Sequence, residues 1–263
     1  MIAGLNLNRV RSWSIAVGAE ATPCERYAAE EFQRFFEQAG GARLPIVPAS
    51  GPAPDRVWIG PGAVRGAGPD WDRGEPFGPE EFRLAVRPDA ILIAGGRPRG
   101  TLYGVYAFLE DCLGVRFLTG DHTHVPPLGP WPVMAPADRR YEPPFAFRWP
   151  YYYETNNDPV MATRQRTNAV QTDLAALERP FMRKPPIGQD GRPFANDDPR
   201  FGGVAVQRLV GHSFYQLIPA EEFGRAHPEY FCEVDGRRKA LETLDSIHAL
   251  QPCLSSPDVL KIV

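Results

Sequence analysis

The sequence predicts an α/β fold, in which an N-terminal mixed-sheet α/β domain precedes the first part of a (β/α)8 TIM barrel. Three observations predict this architecture. Strand and helix patterns alternate over about the first 120 residues, two apolar runs flank the turn Arg87-Pro88-Asp89, and the alternation restarts beyond a proline-rich break. The 263 residues have room for two ordinary domains. We predict an N-terminal domain at residues 1–124, a linker at 125–144 and a partial barrel at 145–263.

The N-terminal elements follow from local signals. Trp13, Ile15 and Val17 alternate as in a half-buried strand, so this stretch is interpreted as the first strand rather than as a signal peptide. A capping box with proline at the first helical position, Thr22-Pro-Cys-Glu, begins a helix that Gly40-Gly41 ends. The other apolar runs predict strands at residues 44–47, 57–59, 82–86, 90–94 and 115–118, and a helix at 101–113. The proline-containing turn makes the third and fourth of these strands antiparallel.

A break in the pattern follows at residues 125–144. Seven prolines lie between Val125 and Pro144. Because proline fixes φ and lacks a backbone N–H, neither a helix nor a central strand is expected there. Residues 145–149 then predict a strand with three aromatic side chains on one face and Arg148 on the other. The further expected elements are strands at 169–172 and 204–210, a short helix begun by Asp158-Pro159 and a hairpin at Asp235-Gly236.

Composition and charge exclude several classes of protein. The net charge of -3 is spread evenly, so neither half carries the basic surplus that a nucleic-acid partner requires. No apolar run approaches the roughly 20 residues of a membrane-spanning helix, so membrane insertion is not expected. The four cysteines lie far apart without a C-x-x-C pair, which argues against a zinc site and a dense disulfide framework. The sequence has no clear signal peptide, and both the compartment and the oligomeric state stay open.

Two motifs suggest a cofactor or a metal, but their context does not support either. Residues 95–100, Gly-Gly-Arg-Pro-Arg-Gly, join a strand to a helix, and such a turn can hold a phosphate on its amides. The glycine order differs from G-x-G-x-x-G, Pro98 removes an amide, and the preceding hairpin conflicts with a parallel βαβ unit. We therefore predict a structural turn and no cofactor. His122 and His124 share a strand face without another recognisable ligand, so no metal site is predicted.

Four polar residues form the candidate substrate-binding site: Arg148, Asn168, His212 and Glu229. Polar side chains at the carboxyl ends of barrel strands line the active-site mouth, and Arg148 and His212 lie at or just beyond the ends of predicted strands. An arginine fork suits a carboxylate or paired hydroxyls, and a histidine can donate to a hydroxyl or transfer a proton. The alternative stays open that Arg148 forms a structural salt bridge and that His212 is a satisfied core residue.

Two sets of motifs resemble known families. Thr22-Pro-Cys-Glu-Arg-Tyr-Ala-Ala-Glu-Glu-Phe, Gly41-Ala-Arg-Leu-Pro-Ile and the stretch containing Arg99-Gly-Thr-Leu-Tyr-Gly-Val resemble the N-terminal domain of glycoside hydrolase family 67 α-glucuronidases. That domain is related to the non-catalytic one before the barrel of family 20 hexosaminidases. Gly211-His-Ser-Phe-Tyr, His227-Pro-Glu-Tyr-Phe and Gln251-Pro-Cys-Leu-Ser-Ser-Pro-Asp-Val resemble domain of unknown function 4838. Together the resemblance covers nearly the whole chain.

The resemblance implies a protein whose barrel cleaves or binds glycans, with an oligosaccharide or polysaccharide as its partner. The leading hypothesis is the N-terminal portion of a glycoside hydrolase, either α-glucuronidase-like or hexosaminidase-like. The alternative is a non-catalytic glycan-binding protein on the same scaffold. In both enzyme families the catalytic carboxylates come from later barrel strands. Glycosidases need two carboxyl groups flanking the bond, and only Asp173 and Glu229 are weak candidates, so no catalytic residue is assigned and residues 1–263 alone are expected to show no turnover.

Overall fold

The computed structural model describes residues 4–68, 71, 76–150, 152, 155, 158–168, 198–203, 214–238 and 251–263. The chain divides into two compact units. The first consists of Met1–Val170 and Gly188–Ala205, and the second of Gln171–Ile187 and Val206–Val263.

The first unit contains ten short strands and five helices among its described residues. The strands are β1 (Leu5–Asn6), β2 (Ser14–Val17), β3 (Ile46–Pro48), β4 (Arg56–Ile59), β5 (Phe82–Arg87), β6 (Ala90–Gly95), β7 (Arg116–Phe117), β8 (Thr123–His124), β9 (Val133–Met134) and β10 (Ala137–Tyr141). The α-helices are α1 (Leu7–Val10), α2 (Pro23–Gly40), α3 (Pro61–Val64), α4 (Gly100–Cys112) and α5 (Pro159–Arg164). Short 3-10 turns lie at Arg65–Ala67 and Pro199–Phe201.

Six of these strands form one mixed sheet in the order β10-β5-β6-β4-β2-β3. Strands β3, β2, β4 and β6 are parallel to one another, whereas β5 and β10 are antiparallel to their neighbours. The predicted mixed-sheet α/β fold is confirmed. The predicted hairpin is confirmed as well, because Phe82 pairs with Gly95 and Arg87 with Ala90.

Helices α2 and α4 cover one face of the sheet. The side chain of Thr22 accepts from the backbone N–H of Glu25, the carboxylate of Glu25 accepts from the N–H of Thr22, and the helix ends at Gly41 with a φ of 67°. Phe32 and Phe108 then stack between the two helices with ring centroids 5.2 Å apart. Burying each such side chain stabilises the fold by about 1.5–3 kcal/mol relative to leaving it exposed.

The proline-rich segment differs from the expected linker. Strand β9 pairs with β1, β10 forms the edge of the six-stranded sheet beside β5, and Leu128 is buried in the same core as α2 and α4. The physical reason is that proline excludes a central strand but tolerates an edge, and β10 itself, Ala-Asp-Arg-Arg-Tyr, contains no proline. The first unit also extends past residue 144, so the domain boundary expected at 145 is not where its packing ends.

The predicted strand at residues 145–149 is wrong, because the structure assigns no strand there. The predicted helix after Asp158 is present as α5, and the carboxylate of Asp158 caps it by accepting from two backbone N–H groups. The strands expected at 169–172 and 204–210 lie outside the described residues, so the barrel stays a prediction.

The second unit is described at residues 214–238 and 251–263. It contains the helices α6 (Phe214–Leu217), α7 (Ala220–Phe223) and α8 (Pro257–Ile262), a 3-10 turn at Pro228–Tyr230 and the strands β11 (Glu233–Val234) and β12 (Arg237–Arg238). The two strands form the hairpin that Asp235-Gly236 predicts, and both turn residues have positive φ. Among the helices of the described residues, none combines the length and apolar character needed to cross a membrane.

Candidate functional site

The glycine-rich segment at residues 95–100 is packed against backbone. A Cβ added at Gly96 would lie 1.8 Å from the carbonyl oxygen of Gly78, and one at Gly100 would lie 2.2 Å from that of Glu81. The N–H of Gly96 already donates to the carbonyl of Glu81 at 2.9 Å, and the N–H of Arg99 donates to Pro79 at 3.2 Å. These glycines therefore permit close approach of the 78–81 backbone, which agrees with the predicted structural turn.

This close approach places the carboxylate of Glu80 beside the first turn of α4. Oxygen Oε1 accepts from Arg99 Nε at 2.9 Å and Nη2 at 2.7 Å, and also from Asn168 Nδ2 at 2.9 Å. Oxygen Oε2 accepts from Arg148 Nη2 at 2.5 Å. Glu80 is a buried carboxylate, and such a group is stable only when it is paired and hydrogen-bonded. The structure thus brings Arg148 and Asn168, two of the four predicted site residues, to one carboxylate.

The guanidinium group of Arg148 is held from three directions. Its Nε donates to the carbonyl of Arg166 at 2.9 Å, its Nη1 to that of Phe145 at 2.5 Å, and its Nη2 to Glu80. The ring of Tyr103 lies 5.8 Å from the guanidinium carbon. The side chain keeps 19% of its surface exposed. Arg148 therefore forms a salt bridge, which is the alternative that the sequence analysis left open. Part of its side chain still faces solvent.

Asn168 joins two stretches of chain that lack regular secondary structure. Its Oδ1 accepts from the N–H of Arg148 at 2.8 Å, its own N–H donates to the carbonyl of Arg148 at 3.2 Å, and Nδ2 donates to that of Ala146 at 2.7 Å. These bonds satisfy the backbone N–H and carbonyl of Arg148 and the carbonyl of Ala146, in place of the strand ladder that the sequence predicts for residues 145–149.

Arg99 ties a further segment to the same carboxylate. Its Nη1 donates to the carbonyl of Gly203 at 2.8 Å, next to the 3-10 turn at Pro199–Phe201. The backbone of Gly202 lies against Arg99 and has a φ of 71°, a conformation that favours glycine. Burial raises the pKa of Tyr103, which packs against the same cluster, so its hydroxyl is neutral and donates to the carbonyl of Thr167 at 3.4 Å.

Aromatic residues lie on both sides of Arg148 in the sequence, and two of them are strongly exposed. Phe145 and Tyr152 are 69% and 68% exposed, which makes them the two most exposed large hydrophobic residues among those described. Phe147 and Trp149 lie edge to face, with ring centroids 6.3 Å apart. Apolar rings of this size in water mark contact surfaces when they cluster.

The two remaining predicted site residues are His212 and Glu229. His212 lies outside the described residues, as does Asp173. Glu229 belongs to the second unit, where it accepts from His227 Nδ1 at 3.0 Å on an exposed surface, and the ring of His227 stacks on Tyr230 at 4.6 Å. A hydrogen bond from its own backbone, followed by the one from His227, lowers the pKa of Glu229.

His122 and His124 are exposed, and His124 belongs to β8, where it pairs with Arg116 of β7. Within the residues that the structure describes, no group of three or more His, Cys, Asp or Glu side chains is arranged to hold a metal ion.

Sequence reasoning missed Glu80 and Arg99. Glu80 follows Pro79 in a stretch without hydrophobic periodicity. Arg99 lies in the glycine-rich segment, for which the sequence predicts only a structural turn. A possible signal was the Glu80-Glu81 pair directly before a buried strand, since buried carboxylates need cationic partners.

Comparison with known proteins gives one family match. Residues 117–263 match the model described as "Domain of unknown function (DUF4838)". No curated protein matches the chain.

Among solved structures, the chain is similar to family 20 hexosaminidases of Streptomyces. A mutant Streptomyces plicatus β-hexosaminidase in complex with its product GlcNAc shares 23% identity at a TM-score of 0.37. The β-N-acetylhexosaminidase of Streptomyces coelicolor A3(2) shares 19% identity at a TM-score of 0.38. Each alignment covers 56% of this chain and 25% of the hexosaminidase, so the chain spans about a quarter of those proteins.

Proposed function

The chain belongs to the family defined by domain of unknown function DUF4838, and we propose that it is part of a carbohydrate-active protein of the glycoside-hydrolase type. The region around Arg148 would contribute glycan binding. The α-glucuronidase-like and hexosaminidase-like activities implied by the sequence motifs are the finer alternatives within this proposal. The partner is an oligosaccharide or polysaccharide.

One observation carries the proposal. A guanidinium fixed by three acceptors and still 19% exposed lies, in the sequence, between the strongly exposed rings of Phe145 and Tyr152. Sugars combine ring hydroxyls, which an arginine fork can bind in pairs, with an apolar C–H face that an aromatic ring can cover. Aromatic walls with a few fixed polar groups are typical of small-molecule sites.

A non-catalytic binding role is the second candidate, and a specific feature favours it. The carboxylate beside Arg148, that of Glu80, is buried and held by two guanidinium groups and an amide. Both of its oxygens already accept hydrogen bonds from the protein, so neither is placed to reach a glycosidic bond, as a general acid or base must. Catalytic carboxylates of a hydrolase would therefore be other residues, with His212 and Glu229 as further candidates for substrate contact.

Isothermal titration calorimetry of the 263-residue protein tests the proposal. The probes are the methyl β-glycoside of N-acetylglucosamine and the methyl α-glycoside of glucuronic acid, together with N,N′-diacetylchitobiose. We expect binding of at least one probe, and weakening of about 5–30-fold in Phe145→Ala and Tyr152→Ala, corresponding to about 1–2 kcal/mol of lost ring contact.

A matched control is Val133→Ala in β9, which also removes an exposed apolar side chain. It is expected to leave the affinity unchanged. Equal weakening in all three variants, or no binding of any probe by the wild-type protein, would contradict the proposal.

A further inference from the structure

Glu80 is the one carboxylate among the three acceptors described above for the guanidinium of Arg148. We infer that Glu80 is the positioning residue of the proposed glycan surface, an inference that rests on the function proposed above. It touches no ligand in this scheme and acts through Arg148 and Asn168. Arg99 is the counter-charge that keeps the carboxylate in place.

The two carboxylate oxygens of Glu80 have different hydrogen-bond partners. Among the described residues, Oε1 accepts from Arg99 and Asn168, whereas Oε2 accepts from Arg148. Arg99 is in turn fixed to the carbonyl of Gly203. The carboxylate is therefore anchored on one side, and its second oxygen is presented to Arg148 at 2.5 Å.

The charges explain why this anchor matters. Arg99 and Arg148 contribute two positive charges around one carboxylate, with side chains only 9% and 19% exposed. Without the negative charge the two guanidinium groups would repel each other in a region of low dielectric. Both side chains also donate to backbone carbonyls, Arg99 to Gly203 and Arg148 to Arg166 and Phe145. Arg148 is the more exposed of the two and has solvent on one side, so it is the group that would turn away.

A glutamine at position 80 separates positioning from packing. Its side chain has the same shape but only one acceptor oxygen, and its NH2 group is a donor. If the oxygen serves Arg99 and Asn168, the NH2 group faces Arg148 Nη2, which is itself a donor. The reverse orientation would set the NH2 group against three donors, Nε and Nη2 of Arg99 and Nδ2 of Asn168, instead of one. The first orientation is therefore favoured, and the bond to Arg148 is the one lost.

The experiment compares Glu80→Gln with Glu81→Gln in the complete 263-residue protein. Glu81 is the adjacent residue, its side chain is equally buried at 11% against 10%, and it pairs with Arg140 rather than Arg148. The first readout is the Nε–H signal of Arg148 in a 15N–1H correlation spectrum, identified by its loss in Arg148→Lys. The second is affinity for the glycan probes named above.

In Glu80→Gln we expect the Arg148 Nε–H signal to shift and its exchange with water to quicken, because the bond to the Arg166 carbonyl loosens. Glycan affinity is expected to fall about 10-fold or more, the size of one lost charge-assisted hydrogen bond. Glu81→Gln is expected to change neither. An Arg148 signal and an affinity in Glu80→Gln equal to those of the wild-type protein would overturn the inference.

Two further outcomes are separable. If Glu80→Gln does not fold, Glu80→Asp is used instead. It keeps the negative charge but moves it away from Arg148, because the aspartate side chain is one methylene shorter. A shifted Arg148 signal in Glu80→Asp supports positioning, and an unchanged signal overturns it. If the wild-type protein binds none of the probes, the proposed function fails, yet the Arg148 signal in the two glutamine variants still decides whether Glu80 positions this side chain.

Discussion

A buried ion pair between α2 and α5 gives the sharpest test of how the first unit is held together. Arg164 donates to Glu31 through Nε at 3.0 Å and through Nη2 at 2.9 Å, and the hydroxyl of Tyr106 donates to the same carboxylate at 3.2 Å. Phe35 and Phe117 lie against the guanidinium, with ring centroids 5.1 Å and 5.3 Å from its central carbon. Replacing Arg164 by alanine leaves the carboxylate of Glu31 buried without its cation.

The expected loss follows from that geometry. Removing one partner of a buried pair costs about 3–5 kcal/mol, because the other charge stays desolvated. For a unit of this size, each kcal/mol lowers Tm by about 2–4 °C, so Arg164→Ala should lower it by about 6–20 °C. Loss of the contacts to both aromatic rings acts in the same direction.

Urea unfolding followed by far-UV circular dichroism measures the change. The control is Arg34→Ala, which removes another arginine that contacts Glu31, at 3.5 Å, but whose side chain is 55% exposed against 6% for Arg164. That variant should lose less than about 1 kcal/mol, the usual value of a surface pair. Equal effects of the two substitutions would show that burial does not decide the strength of this interaction, and a loss below about 1 kcal/mol in Arg164→Ala would refute the reasoning.

Two further substitutions test other parts of the fold. Gly96→Ala should destabilise the protein by more than about 2 kcal/mol, because the added Cβ would meet the carbonyl oxygen of Gly78. Gly129→Ala is the control. A Cβ at residue 129 meets no atom within 4 Å, so this substitution should be near neutral in the same urea assay. Arg140 lowers the pKa of Glu81 below its ordinary value of 4.5, so the carboxylate contributes stability above that pH and loses it as the pH falls through the lowered value. Wild-type Tm should therefore decline more steeply below pH 4.5 than that of Glu81→Gln, and parallel curves would contradict this.

The elements predicted well are those whose signals lie within a few residues. Three examples are the capping box at Thr22, the turn at Pro88 and the positive-φ dipeptide Asp235-Gly236. Each forms hydrogen bonds between residues that are close in sequence, so each can be recognised without knowledge of the fold. The mixed character of the sheet followed from the hairpin, since an antiparallel pair had to join strands separated by helices.

The elements predicted poorly depend on partners far along the chain. Residues 137–141 form a strand only because β5, more than fifty residues earlier, offers an unpaired edge. Residues 145–149 alternate in side-chain type as a strand does, yet backbone groups of Ala146 and Arg148 bond to Asn168. Neither of these pairings produces a periodic pattern in the sequence. Glu80 shows the same limit for the site, since its partners Arg148 and Asn168 lie 68 and 88 positions away.

Two of the buried carboxylates suggest why the chain retains such costly groups. Glu31 is bound by Arg164 and Glu80 by Arg148, and both arginines belong to residues 145–168. Hydrophobic contacts would bury this segment without fixing its register, because apolar surfaces can slide over one another. A buried ion pair fails when displaced by about an ångström or two, since a misplaced charge is left desolvated. The two pairs hold one segment at two points, so they fix its position along the sheet domain and with it the direction in which Arg148 faces solvent.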